Sequence, residues 1–386
     1  MNTNQPIQIK LRVCFIYKTT YPGVLSELNL IPNYLAKKGF KVNVIALGGE
    51  RINKIKENHL DNLEVNRINL GKNSNSSLKF ILKSIIIINK KKWDLVHVFH
   101  FRWVVLLPLL CKQKNIKWLL DIRSGNLKND FRRPLANFIT RLESKFFDEV
   151  AVIHKEVGKN IFGNSQKTSN KYPVFPIGVD LSRFKQERRS LIKDEVQLAS
   201  NNYLICYVGH LYAERKLHRL IEAIYISKKY LSTLKLLFIG DGEDKNRLKM
   251  IAQNLGLGKD IIFVGFIKYE EIPEYLNISD MAISYVPITI GYDVQPPFKT
   301  IEYLACGLPV IATDTKGNRF FIKNGENGLL VGDDPESISE AIVSIVKNPE
   351  LRAKMIKNAR KSVESYNWQN IIEEKILPVY KELVKG

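Results

Sequence analysis

The feature that most constrains this chain is a strand–helix alternation that runs from end to end and restarts once. Lys10–Tyr17 (KLRVCFIY) is an apolar run of strand length. Ser26–Lys38 follows with Leu28, Ile31 and Leu35 at helical spacing, and Gly39 closes it. Lys41–Leu47 is the next strand, and the pattern returns at Asp94–Phe99, Ile116–Ile122 and Glu149–Ile153. It begins again at Tyr203–Val208, with a loop over Gly209–Lys216 and a helix over Leu217–Tyr230. It then continues through Lys235–Ile239, Ile261–Val264, Met281–Val286 and Pro309–Ala312. Apolar runs separated by whole helices call for parallel strands, which tight hairpins cannot join. Two series, each with its own start, predict an α/β protein of two doubly wound domains. The seam is expected near Phe175–Phe184, with a polar connection over Ser190–Asn202. At 386 residues the chain is long enough to bury two cores.

Ligands of open parallel sheets bind beyond the carboxyl ends of the strands, so function belongs in the loops that follow them. Four loops stand out. Lys18–Gly23 follows the opening strand, and Gly23 lets a phosphate approach the backbone and the next helix N-terminus, although most such glycines only make the turn. The loop Gly209–Lys216 sets Arg215 and Lys216 at a sheet mouth, where a forked guanidinium and a point charge suit a diphosphate; a solvated basic turn has the same appearance. Gly240-Asp241-Gly242-Glu243 offers either a phosphate cradle, opposed by Asp241, or a plain turn. The segment Pro296–Ala312 opens onto a short helix bearing Glu302. That carboxylate suits the vicinal hydroxyls of a ribose or sugar, and the helix N-terminus supplies backbone N–H groups.

Charge narrows the partners. Residues 1–180 hold 30 Lys/Arg against 13 Asp/Glu, and residues 181–386 hold 29 against 26, so the net +20 sits almost wholly in the first half. An anionic partner for that half is expected: membrane surface, nucleic acid or phosphorylated substrate; a Lys-rich solvated face is the plainer explanation. Ser77–Lys92 and Asn126–Lys145 mix bulky apolar residues with Lys and Arg, which suits anionic lipid as well as ordinary core helices. The longest apolar stretches, Ile85–Ile88 and Val104–Cys111, fall short of the roughly 18–20 residues that span a bilayer. The opening residues lack the order of a signal peptide. Cys14, Cys111, Cys206 and Cys306 show no paired spacing. A cytoplasmic protein is expected. With no Asp-x-Asp at a strand end and no His/Cys cluster at ligand spacing, neither a metal site nor a cofactor is expected.

Taken together the segments resemble the retaining glycosyltransferases of family 4, which have the GT-B fold. The resemblance runs through Tyr21–Leu47, DLVHVFH at 94–100, PIGVDLSRF at 176–184, YVGHLYAERK at 207–216, FIGDGED and then FVGFI at 263–267. It continues in FKTIEYLACGLPVIAT at 298–313, NGENGLLV at 324–331 and YNW at 366–368. Nine such pieces in family order make it specific. It implies two Rossmann-like domains facing a central cleft: 1–178 for the acceptor, 179–365 for the nucleotide sugar, and 366–386 as a helix crossing back to the first.

The resemblance also assigns roles. Gly23 approaches the donor diphosphate through its backbone. Arg215 and Lys216 neutralise that diphosphate, one of them matching the family lysine, with the choice left open. Gly209, His210 and Gly240 belong to the donor side, His210 standing where the family usually has Arg. Phe266 and Ile267 lie along the base. Lys299, Thr300 and Ile301 flank Glu302, which matches the second Glu of the family's paired motif and holds the ribose. The first Glu is replaced by Val294, with Asp293 beside it, and Pro-Phe-Lys-x-x-Glu-Tyr resembles a subgroup that keeps only the second. His100, or else His97, stands near the sugar and acceptor, and Asp121 and Arg123 line the same side.

The implied reaction is metal-independent transfer of a sugar from a nucleotide-diphosphate donor to a hydroxyl with retention, by front-face attack assisted by the leaving phosphate. The implied acceptor is a glycan or lipid-linked glycan of lipopolysaccharide, other surface polysaccharide or glycoconjugate assembly. The charge asymmetry and the stretches Ser77–Lys92 and Asn126–Lys145 favour a lipid-linked acceptor and peripheral attachment to the cytoplasmic face of an anionic membrane, and nucleic acid is not an expected partner. Two alternatives remain. A GT-B sugar-nucleotide epimerase would convert the donor without an acceptor. A basic nucleic-acid-binding protein would bind generic DNA with steep salt dependence, but no motif for one is present.

Overall fold

The computed structural model describes residues 11–20, 26–48, 60–71, 77–124, 132–163, 171–187, 199 and 201–385. Twelve strands are present among them: β1 Arg12–Thr20, β2 Lys41–Leu47, β3 Leu63–Ile68, β4 Leu95–Phe99, β5 Lys117–Ile122, β6 Glu149–Val152, β7 Tyr203–Val208, β8 Leu234–Ile239, β9 Ile261–Gly265, β10 Met281–Ser284, β11 Val310–Thr313 and β12 Gly328–Val331. They form two six-stranded sheets, β3-β2-β1-β4-β5-β6 and β12-β11-β10-β7-β8-β9. Every strand pairing is parallel. In each sheet the first strand of its series is central, the next two lie on one side and the last three on the other, the doubly wound order.

The sequence dictates this through burial. β4 is buried at all five positions and β7 at its four middle ones, so both read as continuous apolar runs, as strands covered by helices on both faces must. Two strands escape that signal. β3 (LEVNRI) is a half-exposed edge strand of mixed polarity, and β12 (GLLV) is four residues long, so neither stands out as an apolar run. The other boundaries fall within three residues of the expected ones.

The chain divides into two compact units, Met1–Ile177 together with Trp368–Gly386, and Gly178–Asn367. At the junction Asp180 Oδ1 accepts from the Ser182 N–H at 3.0 Å and from the Ser182 hydroxyl, a turn built by the side chain of the linker motif itself. Val179 and Asn367 form an isolated parallel bridge, with the Val179 N–H donating to Tyr366 O at 2.9 Å. Beyond it, Trp368–Ile371, the π-turn Ile372–Ile376 and helix Leu377–Lys385 belong to the first unit. There Lys38 Nζ lies 2.9 Å from Glu373 Oε1, and the Tyr34 hydroxyl donates to the same carboxylate. The turn Tyr21–Gly23, with Gly23, lies outside the described residues, as do residues 126–131 and most of the connection Ser190–Asn202.

Candidate functional site

In the second unit the loops after β7, β9 and β10 and one short helix bring polar groups together at the carboxyl ends of the strands. The helix is Phe298–Ala305. Three anchors fix its position. The Tyr303 hydroxyl accepts the Val208 N–H at 2.7 Å, at the last residue of β7. Thr300 Oγ1 lies 2.6 Å from Ser284 Oγ at the end of β10, and also donates to Asn318 Oδ1 at 2.8 Å. Arg360 donates to Ala305 O at 2.6 Å, and to Phe184 O and Leu181 O of the linker. Thr300 and Ile301 are therefore wholly buried, and neither side chain is open to a ligand. Only backbone can serve there. The helix has no side-chain cap at its N-terminus, following Pro297.

On this pinned helix Lys299 and Glu302 stand three residues apart and so share a face. Glu302 is 6% exposed, and its Oε1 accepts from the Tyr269 hydroxyl at 2.9 Å. Burial pushes the Glu302 carboxyl up to about 7, against the opposing pull of the Tyr269 hydrogen bond and the Lys299 charge. Lys299 Nζ donates to Tyr285 O at 3.2 Å and sits 3.9 Å from the Tyr207 ring centroid, a close cation–π contact. Its ammonium is held well below the usual lysine range by burial and then by the Arg215 charge. Beneath it the Tyr207 hydroxyl is buried without a hydrogen-bond partner among the described residues. The Arg215 guanidinium lies 4.7 Å from the Tyr292 ring centroid. His210 stacks on Tyr212 at 5.1 Å, and partial desolvation, then the Arg215 and Lys299 charges, lower its pKa and favour the neutral ring. Arg215, Lys299, Glu302 and His210 thus form one cluster. Lys216 ends the loop in the left-handed conformation at φ 50°, an uncommon posture for a residue with a side chain.

Two glycines of these loops serve close backbone packing. A Cβ on Gly240, at φ +139°, would lie 2.0 Å from Gly209 O, and one on Gly242 would lie 2.3 Å from Leu211 O. They let the loops after β7 and β8 pack backbone to backbone. Phe266 is 69% exposed, and Ile267 follows it half-buried on the loop after β9. Val294 is buried, and Asp293 is occupied by the Lys316 N–H at 3.0 Å and Lys316 Nζ at 3.2 Å, so no carboxylate takes the place of the missing first Glu.

In the first unit His97 is wholly buried in β4. Its Nε2 lies 3.1 Å from Asp121 Oδ2 and its Nδ1 lies 2.5 Å from the Tyr380 hydroxyl. A neutral ring with its proton on Nε2 satisfies both partners, and burial lowers its pKa toward that state. Arg123 donates from Nε to the same Asp121 oxygen at 2.8 Å and from a terminal nitrogen to Phe175 O at 2.9 Å. Between Phe15, Phe99 and Phe175, this network ties the terminal helix to the sheet. His97 and Asp121 expose no surface to an acceptor. His100, just past the end of β4, is half-buried, with Nε2 3.4 Å from Glu143 Oε2 and 3.5 Å from Thr140 Oγ1. Tyr207, Tyr269 and Tyr292 were not legible as site residues, because a tyrosine beside a loop carries no mark of its role; Glu143 lies mid-helix with no flanking motif.

Residues 188–362 match the family model described as glycosyl transferases group 1, and residues 12–154 match that of glycosyl transferase 4-like proteins. An uncharacterized glycosyltransferase of Methanocaldococcus jannaschii is 26% identical over 67% of this chain and 67% of its own length. The UDP-Gal:alpha-D-GlcNAc-diphosphoundecaprenol alpha-1,3-galactosyltransferase of Escherichia coli is 24% identical over 80% of this chain and 82% of its own. Among solved structures, Anabaena HepE in complex with UDP superimposes with a TM-score of 0.76 at 16% identity, covering 96% of this chain and 100% of that one.

Proposed function

The chain belongs to the glycosyl transferases of group 1, with the GT-B fold, and on that premise we propose that it transfers a sugar, with retention, from a nucleotide-diphosphate donor to a hydroxyl of a lipid-linked glycan at a membrane surface. One observation carries the donor half of this reading: Lys299 and Glu302, on a helix fixed by three separate anchors, meet Arg215 of the loop after β7 at the carboxyl ends of β7 and β10. A site of that kind is preorganised, so its charges need not rearrange as the reaction proceeds.

The roles follow from the chemistry. As the glycosidic bond breaks, the sugar gains positive charge and the diphosphate gains negative charge. Arg215 and Lys216 answer the second, and the Lys299 ammonium, disfavoured by its burial, is favoured again once a diphosphate lies near it. Glu302 accepts from the ribose hydroxyls in its ionised form, with Tyr269 holding the carboxylate in place. Phe266 offers an exposed ring for the base. Because these cations meet the charge of the leaving group, the reaction needs no metal. Attack comes from the face on which the diphosphate departs. His100, backed by Glu143 and Thr140, is the half-buried polar group on the acceptor side. The lipid-linked acceptor follows the chemistry named for the E. coli relative, and the basic first half fits the anionic face of a membrane.

Melting the protein with UDP-, GDP-, ADP- and CMP-sugars tests the donor site, since a ligand bound only by the native state raises the melting temperature. One nucleotide class is expected to raise it by several degrees, and no shift with any would end the proposal. NMR of the product then reads the anomeric configuration. A new epimer formed from donor and enzyme alone would instead mark an epimerase.

A further inference from the structure

The helix Arg133–Ser144 is turned inside out. Its buried residues are Asn137, Thr140, Glu143 and Ser144, while Leu135, Phe138 and Leu142 are 61%, 53% and 42% exposed. Spaced three and four apart, the two sets occupy opposite sides of the helix. The inward set is engaged. Asn137 Nδ2 donates to Asn160 O at 2.9 Å, Thr140 Oγ1 to Ala136 O at 3.1 Å and Ser144 Oγ to Arg141 O at 2.8 Å, and Glu143 faces His100. Rolling the helix over would break the Asn137 and Glu143 contacts, which reach other elements, while Thr140 and Ser144 are satisfied within the helix itself.

Its neighbours continue the pattern. Helix Ser77–Ile88 buries Phe80, Ile81, Ile85 and Ile88, yet it carries a second stripe, Leu78, Leu82 and Ile86, that is exposed. Leu109 and Leu110 of helix Leu106–Leu110 are exposed as well. These helices make the crossovers β3→β4, β4→β5 and β5→β6, which all step the same way along the sheet. Right-handed connections therefore set all three on one face. Around the apolar stripes Lys79, Lys83, Arg132, Arg141 and Lys145 are exposed, and none of the three helices exposes an acidic side chain. On the loop before the middle helix Trp103 is exposed at φ 69°, with the Arg102 guanidinium 5.4 Å from its ring centroid.

We propose that this helical face docks on an anionic lipid bilayer. Leu135, Phe138 and Leu142 enter the acyl boundary, while the Lys and Arg side chains reach the headgroup phosphates. Apolar stripes framed by cations and free of exposed acid match a surface that is oily below and negative above. The inference rests on the reading of a membrane-borne acceptor and names the surface that brings the enzyme to it.

Flotation with vesicles of phosphatidylcholine and phosphatidylglycerol in equal parts tests it, against vesicles of phosphatidylcholine alone. The full chain is expected to float with the mixed vesicles and to stay down with the neutral ones. Leu135→Gln/Phe138→Gln/Leu142→Gln should lower the bound fraction at least about tenfold. The same variant should keep its melting temperature, its nucleotide binding and its transfer to a water-soluble acceptor. Equal flotation of variant and wild type would overturn the proposal, as would equal binding to neutral vesicles. So would a wild-type dimer, seen by sedimentation, that the triple variant splits, because a second copy would then be the occupant. A protein that floats as expected yet transfers no sugar would sink the functional reading and leave this surface standing.

Discussion

In the first unit the polar groups gathered around β4 and β5 are mostly engaged with one another: His97, Asp121, Arg123 and Tyr380 form a buried network in the core, although Asp121 Oδ1 has no hydrogen-bond partner among the described residues. In the second, the groups past β7 and β10 are held in states that a ligand would improve. Burial raises the Glu302 carboxyl to about 7 and holds the Lys299 ammonium well below the usual lysine range, and the Tyr207 hydroxyl is buried without a partner among the described residues. The two sheets have the same strand order, so topology does not make the difference. Spacing does. Lys299 and Glu302 lie three apart on a helix whose other faces are anchored, which forces two opposite charges into a desolvated corner. A fold supplies loops at strand ends, and the side chains decide whether those loops bind something or hold the fold.

Removing three groups of the second unit and one of the first, singly, breaks or sharpens this contrast. Arg215→Ala should lower kcat/KM by about 10²–10³, since it removes a preorganised charge facing the leaving group; steady-state kinetics at saturating acceptor reads it. Glu302→Gln should weaken donor binding about tenfold at pH 8 by calorimetry, having lost a charged acceptor. The same variant should also change the pH profile. The Glu302 carboxyl is raised from 4.5 to about 7, so the folded chain holds more protons than the unfolded one in that window. Its contribution to stability is therefore full below about 4.5 and is lost as pH rises toward 7, while donor affinity rises over the same span as the carboxylate forms. Glu302→Gln should flatten both trends, and a sloping profile in the variant would assign the titration elsewhere. His97→Ala, in contrast, should cost about 2–3 kcal/mol in urea unfolding and leave the donor dissociation constant unchanged. A loss of donor affinity without loss of stability would reverse the contrast. The smallest effect is expected from Tyr269→Phe, a loss of about 0.5–1.5 kcal/mol in donor binding, because the carboxylate keeps its charge and loses only its support.

Much of this was legible beforehand, for identifiable reasons. Buried parallel strands announce themselves as unbroken apolar runs, so ten of the twelve were placed from sequence, and the two omitted were an exposed edge and a four-residue strand. Lys299 and Glu302 could be placed because helical spacing and the Gly-x-Pro that follows fix where the helix lies. Three features depend on contacts that no local pattern encodes. Gly240 stands at a sheet mouth, and the sequence does not show that its positive φ brings it against a carbonyl of the neighbouring loop. His97 and His100 lie three apart in one motif, and only the depth of β4 separates a core histidine from a half-buried one. The amphipathic character of Arg133–Ser144 was visible in its sequence, but which side faces inward was not. That depends on His100 and Asn160 presenting polar partners, and they come from distant parts of the chain.

The bond between Tyr380 and His97 joins two stretches that are far apart in sequence: the first sheet lies before residue 178, and the helix that closes over His97 comes after Trp368. Residues 178–367 are in contrast one contiguous stretch. A chain cut after Asn367 would keep every strand of the first sheet and lose the hydroxyl that His97 Nδ1 accepts from, so damage at the far end of the chain is felt in the middle of β4.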